Sequence, residues 1–266
     1  MELNIYQEIT DLVNTQGTAA LCVVVEARGS TPRAAGAKML VYPGGRISGT
    51  IGGGEMEHRV VQAALEAMTD GEPKLVSYAM TDPQRGDPGV CGGQLEVYVE
   101  PILPQPTVIV VGAGHVGREL ARLAGWLGYA VVISDDRPEM LTDDLAEFAQ
   151  VHLGPMQQLV EFTRIHSQTF IVLTTRNVEV DAAGLPALSK SEAAYIGVIG
   201  SRRRWQITKE KLLEQGVDAE RISRIYSPVG LELNAETPEE IAVSILAQII
   251  QQRRGGHGQP MASGKA

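Results

Sequence analysis

The stretch VIVVGAGHVG, residues 108–117, decides the fold of the larger part of the chain. Its opening apolar, β-branched run suits a strand buried on both faces of a parallel sheet. Gly112, Gly114 and Gly117 follow in the spacing G-x-G-x-x-G, and a helix is expected from about His115. Between a strand and a helix, the first glycine permits a tight turn and the second lets a pyrophosphate approach the backbone. The third lets the helix pack close to the strand. The next strand, AVVISDD at 130–136, ends in Asp135 and Asp136, where an acid can accept from ribose hydroxyls. Asp135 is the expected ribose ligand, and His115 stands where an imidazole can meet a phosphate. Each also has a plain reading, as a solvated strand-end residue and a cap-region residue.

Outward from this unit, strands and helices alternate: a helix near LAEFAQ (145–150), strands at TFIVLTT (169–175) and YIGVIGS (195–201), and a last long helix. Thr237, Pro238 and Glu240 supply that helix with an N-cap, a first-turn proline and the acid of a capping box. Such alternation implies parallel strands with crossover helices, a Rossmann-like α/β domain over 107–254. The three prolines of PILPQPT mark a linker at 102–106. The tail from 255 to 266 carries the composition of a disordered segment.

The portion before the linker, 1–101, reads as an α+β domain. Ile5, Ile9, Leu12 and Val13 share one helical face, with Gly17 as the expected C-cap. TAALCVVVEA (18–27) is expected to be a strand buried on both faces, with Cys22 as inert packing inside it. A second strand follows over 37–42. The stretch 94–101 alternates Leu95, Val97 and Val99 against Glu96, Tyr98 and Glu100, a half-exposed strand.

Three segments of this domain are rich in glycine: RGSTPRAAGAK (28–38), SGTIGGGEMEH (48–58) and GVCGGQLE (89–96). Glycines can turn backbone N–H groups toward one point, and the helix expected after Gly54 adds a partial positive charge. The segments describe a cradle for a phosphate-bearing heterocycle. No Lys–Ser/Thr pair follows the glycines, so a Walker loop has no support. Ser30, Thr31 and Arg33 offer hydrogen bonds and charge, and serve equally as turn residues. Cys91, between Val90 and two glycines, is a candidate soft metal ligand or sulfur handler, although a lone cysteine is commonly packing. Arg202, Arg203 and Arg204 read as a solvated basic face, or as forks for phosphate or carboxylate.

The 266 residues carry 44% hydrophobic and 21% charged side chains, the composition of an ordinary globular protein. A net charge of −9 argues against non-specific binding to nucleic acid or to anionic membrane. No apolar run reaches the ~18 residues of a membrane span, no leader pattern opens the chain, and two cysteines make no disulfide framework. A cytoplasmic location is expected.

The blocks GSTPRAAGAKMLV, GTIGGGEMEHRVVQAAL, CGGQLEVYVEP, VVGAGHVGRELARLAGWLGY, YIGVIGSRRR and PVGLELNAETPEEIAVSILAQII, in this order, resemble the XdhC/CoxI family of accessory factors for molybdenum hydroxylases. The resemblance runs from about residue 5 to 254. It implies an N-terminal domain that binds molybdenum cofactor, a C-terminal Rossmann domain, a homodimer, and delivery of the mature cofactor to the large subunit of a hydroxylase of the xanthine dehydrogenase type. It implies a chaperone with no catalytic residues of its own. Cys91 matches the cysteine of the family's CGG block, linked to holding the cofactor, which makes it a candidate molybdenum contact. Glu57 and Glu96 match recurrent acids. The cofactor-binding residues expected on this basis are Ser30, Thr31, Arg33, Gly52, Gly53, Gly54, Glu57, Cys91, Gly92, Gly93 and Glu96. Gly112, Gly114, His115, Gly117 and Asp135 are the expected site of an NAD(P)-type dinucleotide. Two positions depart from the family pattern: Glu55 stands where some relatives have a cysteine, and Arg176 where relatives often have a histidine.

Two rival readings stand beside this one. An NAD(P)-dependent oxidoreductase with a glycine-rich substrate domain would need an acid–base pair beside the fingerprint, and none stands out in the sequence. An interaction module with a relic Rossmann fold needs no ligand at all.

Overall fold

The computed structural model describes residues 2–79 and 93–264, and the chain divides into two compact units, 1–104 and 105–266. In the first unit, helix α1 (Glu2–Asn14) precedes strands β1 (Ala19–Arg28), β2 (Lys38–Val41) and β3 (Ile47–Gly49). Helix α2 (Gly54–Asp70), β4 (Lys74–Ala79) and β5 (Gln94–Ile102) follow. The strands form an antiparallel sheet in the order β3-β2-β1-β5-β4.

One face of this sheet packs Ala20, Cys22, Val24, Val97 and Val99 against Met56, Val60, Ala64 and Ala67 of α2. The expectation that β1 is buried on both faces holds only at its start. There α1 covers Ala19 and Leu21 through Ile5, Ile9 and Leu12, whereas Val25 stands 49% exposed. The cause is the length of α1, whose apolar stripe covers one end of the sheet only. Val13, expected on that stripe, is 59% exposed. After α1 the left-handed residue is Gln16, while Gly17 packs on Leu12. Leu95, Val97 and Val99 are buried in β5 as the alternation requires.

The second unit runs β6 (Thr107–Val111), α3 (His115–Trp126), β7 (Ala130–Asp135), β8 (Gln150–Leu153), α4 (Leu159–Phe162), β9 (Thr169–Leu173), α5 (Val178–Leu188), β10 (Tyr195–Val198), α6 (Arg202–Glu214), α7 (Ala219–Ser223), β11 (Ile225–Tyr226) and α8 (Pro238–Arg254). Its parallel sheet has the order β11-β10-β9-β6-β7-β8, the doubly wound arrangement of dinucleotide-binding folds. Alternate residues of each strand serve opposite layers. Val108, Val110 and Phe170 meet α3 and α8 through Leu120, Ala124, Ile245 and Ile249. On the other face Ile109, Val111 and Ile171 meet Leu185, Leu188 and Leu212 of α5 and α6.

The helix expected near LAEFAQ is instead a 3₁₀ turn over Asp143–Glu147, and β8 begins at Gln150. A short apolar run is ambiguous between helix and strand, and pairing of Val132–Asp135 with Gln150–Leu153 decides it here. The capping box of α8 is present in full: Thr237 accepts from the Glu240 N–H, and the Glu240 carboxylate accepts from the Thr237 N–H. Gly255 ends that helix in the left-handed conformation.

Candidate functional site

In the first unit the three glycine-rich segments meet. A Cβ placed on Gly52 would stand 2.5 Å from Pro32 Cγ, and one on Gly93 would stand 2.1 Å from the Ser30 carbonyl oxygen. The turn Ser30–Pro32 is therefore clamped between the second and third segments, and only glycine allows so close an approach. Thr31 is spent on its own turn, its hydroxyl donating to the Arg33 carbonyl at 3.0 Å. Ser30 and Arg33 are exposed.

The backbone nest expected for an anion already holds one. Glu57, in the first turn of α2, reaches back so that its Oε2 accepts from the Thr50 hydroxyl at 2.6 Å and from the Ile51 and Gly53 N–H groups at 3.2 Å each. Gly52 donates its N–H to the Thr50 hydroxyl, completing the knot. The glycine loop is thus shaped by a carboxylate of its own chain. At Gly53 and Gly54 a Cβ would meet nothing within 4 Å, so this flank is open.

Glu96 has no contact with this knot among the described residues. It faces Glu26 across the β1–β5 ladder and accepts from the Ser77 hydroxyl at 3.4 Å, while Arg28 pairs with Glu26 at 2.7 Å. Cys91 and Gly92 lie outside the described residues. Cys22 is fully buried, and desolvation pushes its thiol up to about 12, so it behaves as packing.

These residues fit a phosphate-bearing cofactor in part. The open glycine flank at the start of α2, the Ser30 hydroxyl and the Arg33 guanidinium are suited donors, whereas the N–H groups of Ile51 and Gly53 are taken by Glu57.

In the second unit the fingerprint glycines divide by role. A Cβ on Gly117 would stand 1.9 Å from the Gly112 carbonyl oxygen, and one on Gly112 would stand 2.8 Å from the Thr174 carbonyl oxygen. Both are needed for packing of strand, turn and helix. Gly114 has open space instead, and His115 is exposed at the first position of α3. A cavity of about 260 Å³ lies beside this turn at the carboxyl ends of β6, β7 and β8.

Asp135 lines that cavity but presents no free carboxylate to it. Its oxygens accept from the N–H groups of Ala113 (2.8 Å) and Arg137 (3.0 Å) and from Nε (2.9 Å) and Nη2 (3.0 Å) of Arg137. Four acceptances fill a carboxylate's ordinary capacity. Next to it Asp136 forms a two-pronged ion pair with Arg176 at 2.9 and 3.0 Å, and Arg176 holds the Asp136 carboxyl below its usual range. Arg137 and Arg176, absent from the expected site, are thus its cationic members; the cue in the sequence was the arginine directly after the acid pair in SDDRPEM.

The arginine run of α6 is not uniformly solvated. Arg204 turns inward, donating to the Thr175 carbonyl, the Thr175 hydroxyl and the fully buried Asp181 carboxylate. Arg202 and Arg203 are exposed.

Comparison with known proteins agrees with both units. Residues 108–249, more than half of the chain, match the profile of the XdhC Rossmann domain, and residues 12–79 match that of the XdhC and CoxI family. The chain is 35% identical over 96% of its length to the protein YqeB of Escherichia coli, covering 47% of that protein. It is 36% identical over 59% of its length to a probable xanthine dehydrogenase subunit of Bacillus subtilis, covering 46% of it. The chain therefore spans less than half the length of these two relatives. It is 24% identical to the molybdenum cofactor insertion chaperone PaoD of Escherichia coli, over 88% of this chain and 83% of that one. A crystal structure described as a xanthine dehydrogenase from Bacillus halodurans aligns over 97% of both chains at 23% identity, with a TM-score of 0.49. With both of its units matched in order, the chain belongs to the XdhC and CoxI family.

Proposed function

We propose that the chain is an accessory factor that binds molybdenum cofactor and delivers it to an apo molybdenum hydroxylase of the xanthine dehydrogenase type, acting as a homodimer. The observation that carries this reading is the clamp of Ser30–Pro32 between Gly52 and Gly93, which joins the three segments of the first unit in one place. Family membership and the likeness to a named insertion chaperone support the role. The pterin phosphate would meet the N-terminal end of α2 at Gly53 and Gly54, with Ser30 and Arg33 as donors. Cys91 is the residue proposed to face the molybdenum. When bound, the cofactor would supply the redox chemistry, which belongs to the client enzyme. This chain orients the cofactor and shields it from water. Glu57 holds the loop in shape and does not touch the cofactor in this scheme.

The test is to purify the protein from cells that make molybdenum cofactor and to assay molybdenum and oxidised pterin per chain. We expect near-stoichiometric pterin in the wild type, several-fold less in Arg33→Ala and little in Cys91→Ser. A folded wild-type protein that carries neither molybdenum nor pterin would overturn the reading.

A further inference from the structure

We propose that the cavity of the second unit is a nucleotide site whose preferred ligand bears a phosphate monoester on its ribose. Every residue that lines this cavity belongs to the second unit.

The argument begins at Asp135. In a fold of this kind the acid that ends the second strand accepts from the free ribose hydroxyls, which requires lone pairs turned to the ligand. Here the carboxylate is buried, and its capacity is filled by the Ala113 N–H, the Arg137 N–H and two guanidinium nitrogens. A ribose diol placed in the cavity finds no acceptor at this position. It finds the Arg137 side chain, which is 34% exposed, lines the cavity and has Nη1 left over from its bonds to Asp135. A guanidinium with donors to spare selects a phosphate oxygen over a hydroxyl, because the bond is charge-assisted.

Four further observations agree. Arg176, across the cavity rim, brings a second guanidinium, held in place by its two bonds to Asp136. The carboxylates that line the cavity would otherwise repel an anion, but each is paired: Asp135 with Arg137, Asp136 with Arg176, and Glu179 with Lys211. Met156, Val180 and Ala183 give the cavity an apolar wall against which a base can lie. Gly114 leaves open space at the start of α3 for the chain of 5′-phosphates, and its φ of −73° is one that any residue can adopt. Nothing in the packing of the unit therefore requires glycine at that position.

The test is calorimetric titration of the full chain with NADP⁺ and NAD⁺, with adenosine 2′,5′-bisphosphate and ADP as competitors. We expect NADP⁺ to bind at least about tenfold more tightly than NAD⁺, as befits one charge-assisted contact. The bisphosphate should compete at least about tenfold better than ADP, a comparison made on the wild type alone. Arg137→Ala should bring NADP⁺ down to the level of NAD⁺. Gly114→Val should weaken both ligands at least about tenfold and leave the melting curve near that of the wild type. No binding of either dinucleotide at millimolar concentration, equal affinity for the two, or a preference that survives in folded Arg137→Ala would each overturn the assignment.

Discussion

Glu57 shows how one side chain can settle the use of a whole loop. Its carboxylate oxygen takes two backbone N–H groups and a hydroxyl, so its removal orphans three donors in a part-buried place. Hydrogen bonds to a charged acceptor contribute roughly 1.5–3 kcal/mol each when buried, and less where water reaches them. We expect Glu57→Ala to lower stability by about 1–3 kcal/mol in urea denaturation, with Glu57→Gln between it and the wild type, since the amide keeps one acceptor oxygen. Equal stability of all three proteins would show that the knot does not shape the loop. The role of Glu57 was not legible in the sequence. The resemblance offered Glu57 as a cofactor-binding acid, and only the tertiary turn through Thr50 reveals its bonds within its own loop.

At the scale of elements, the junction of α5 and α6 holds a buried charge pair, Arg204 with Asp181, beside the exposed pair Lys211 with Glu179. Asp181 is fully buried, and burial raises its carboxyl pKa against the opposing pull of Thr175 and Arg204. Removing one partner of a buried pair leaves the other uncompensated, which typically costs about 3–5 kcal/mol. We expect Arg204→Ala to destabilise by roughly this much in chemical denaturation, and Asp181→Asn by less, since the guanidinium it leaves unpaired is 19% exposed and reaches water, whereas the Asp181 carboxylate does not. Arg204→Ala within about 1 kcal/mol of the wild type would refute this account. Much of the second unit was legible because the elements VIVVGAG and TPEE each state their own ends, through glycine spacing and capping chemistry. The strand β8 was not legible: QVHL is short, and its identity comes from pairing with β7. The arginines of α6 read as solvent-facing because the acid that draws Arg204 inward lies 23 residues away, on another helix.

Across the whole molecule, acid is expected to unsettle the second unit before it affects the antiparallel one. His152 and His166 are both buried there, and desolvation lowers the pKa of each from the ordinary 6.5. Such a group is neutral in the folded chain and takes up a proton when the chain unfolds. The stability it contributes is therefore fully present above pH ~6.5 and is lost as pH falls below that value toward the folded pKa. We expect the melting temperature to fall between pH 7 and pH 5.5, and His152→Gln to flatten that slope. A slope unchanged in the variant would remove His152 from the explanation. The negative net charge sets the molecule's long-range behaviour, and among the described residues no helix is long and apolar enough to cross a membrane.

The self-filled nest of the first unit has one further consequence. Glycines carry the largest backbone entropy of any residue, and a run of them left free would have to be frozen by whatever docks there. With the Glu57 knot tied during folding, Gly52 and Gly53 are ordered before any ligand arrives, and association no longer carries that entropic penalty. A ligand that docks against a loop ordered in advance needs fewer direct contacts to reach a given affinity.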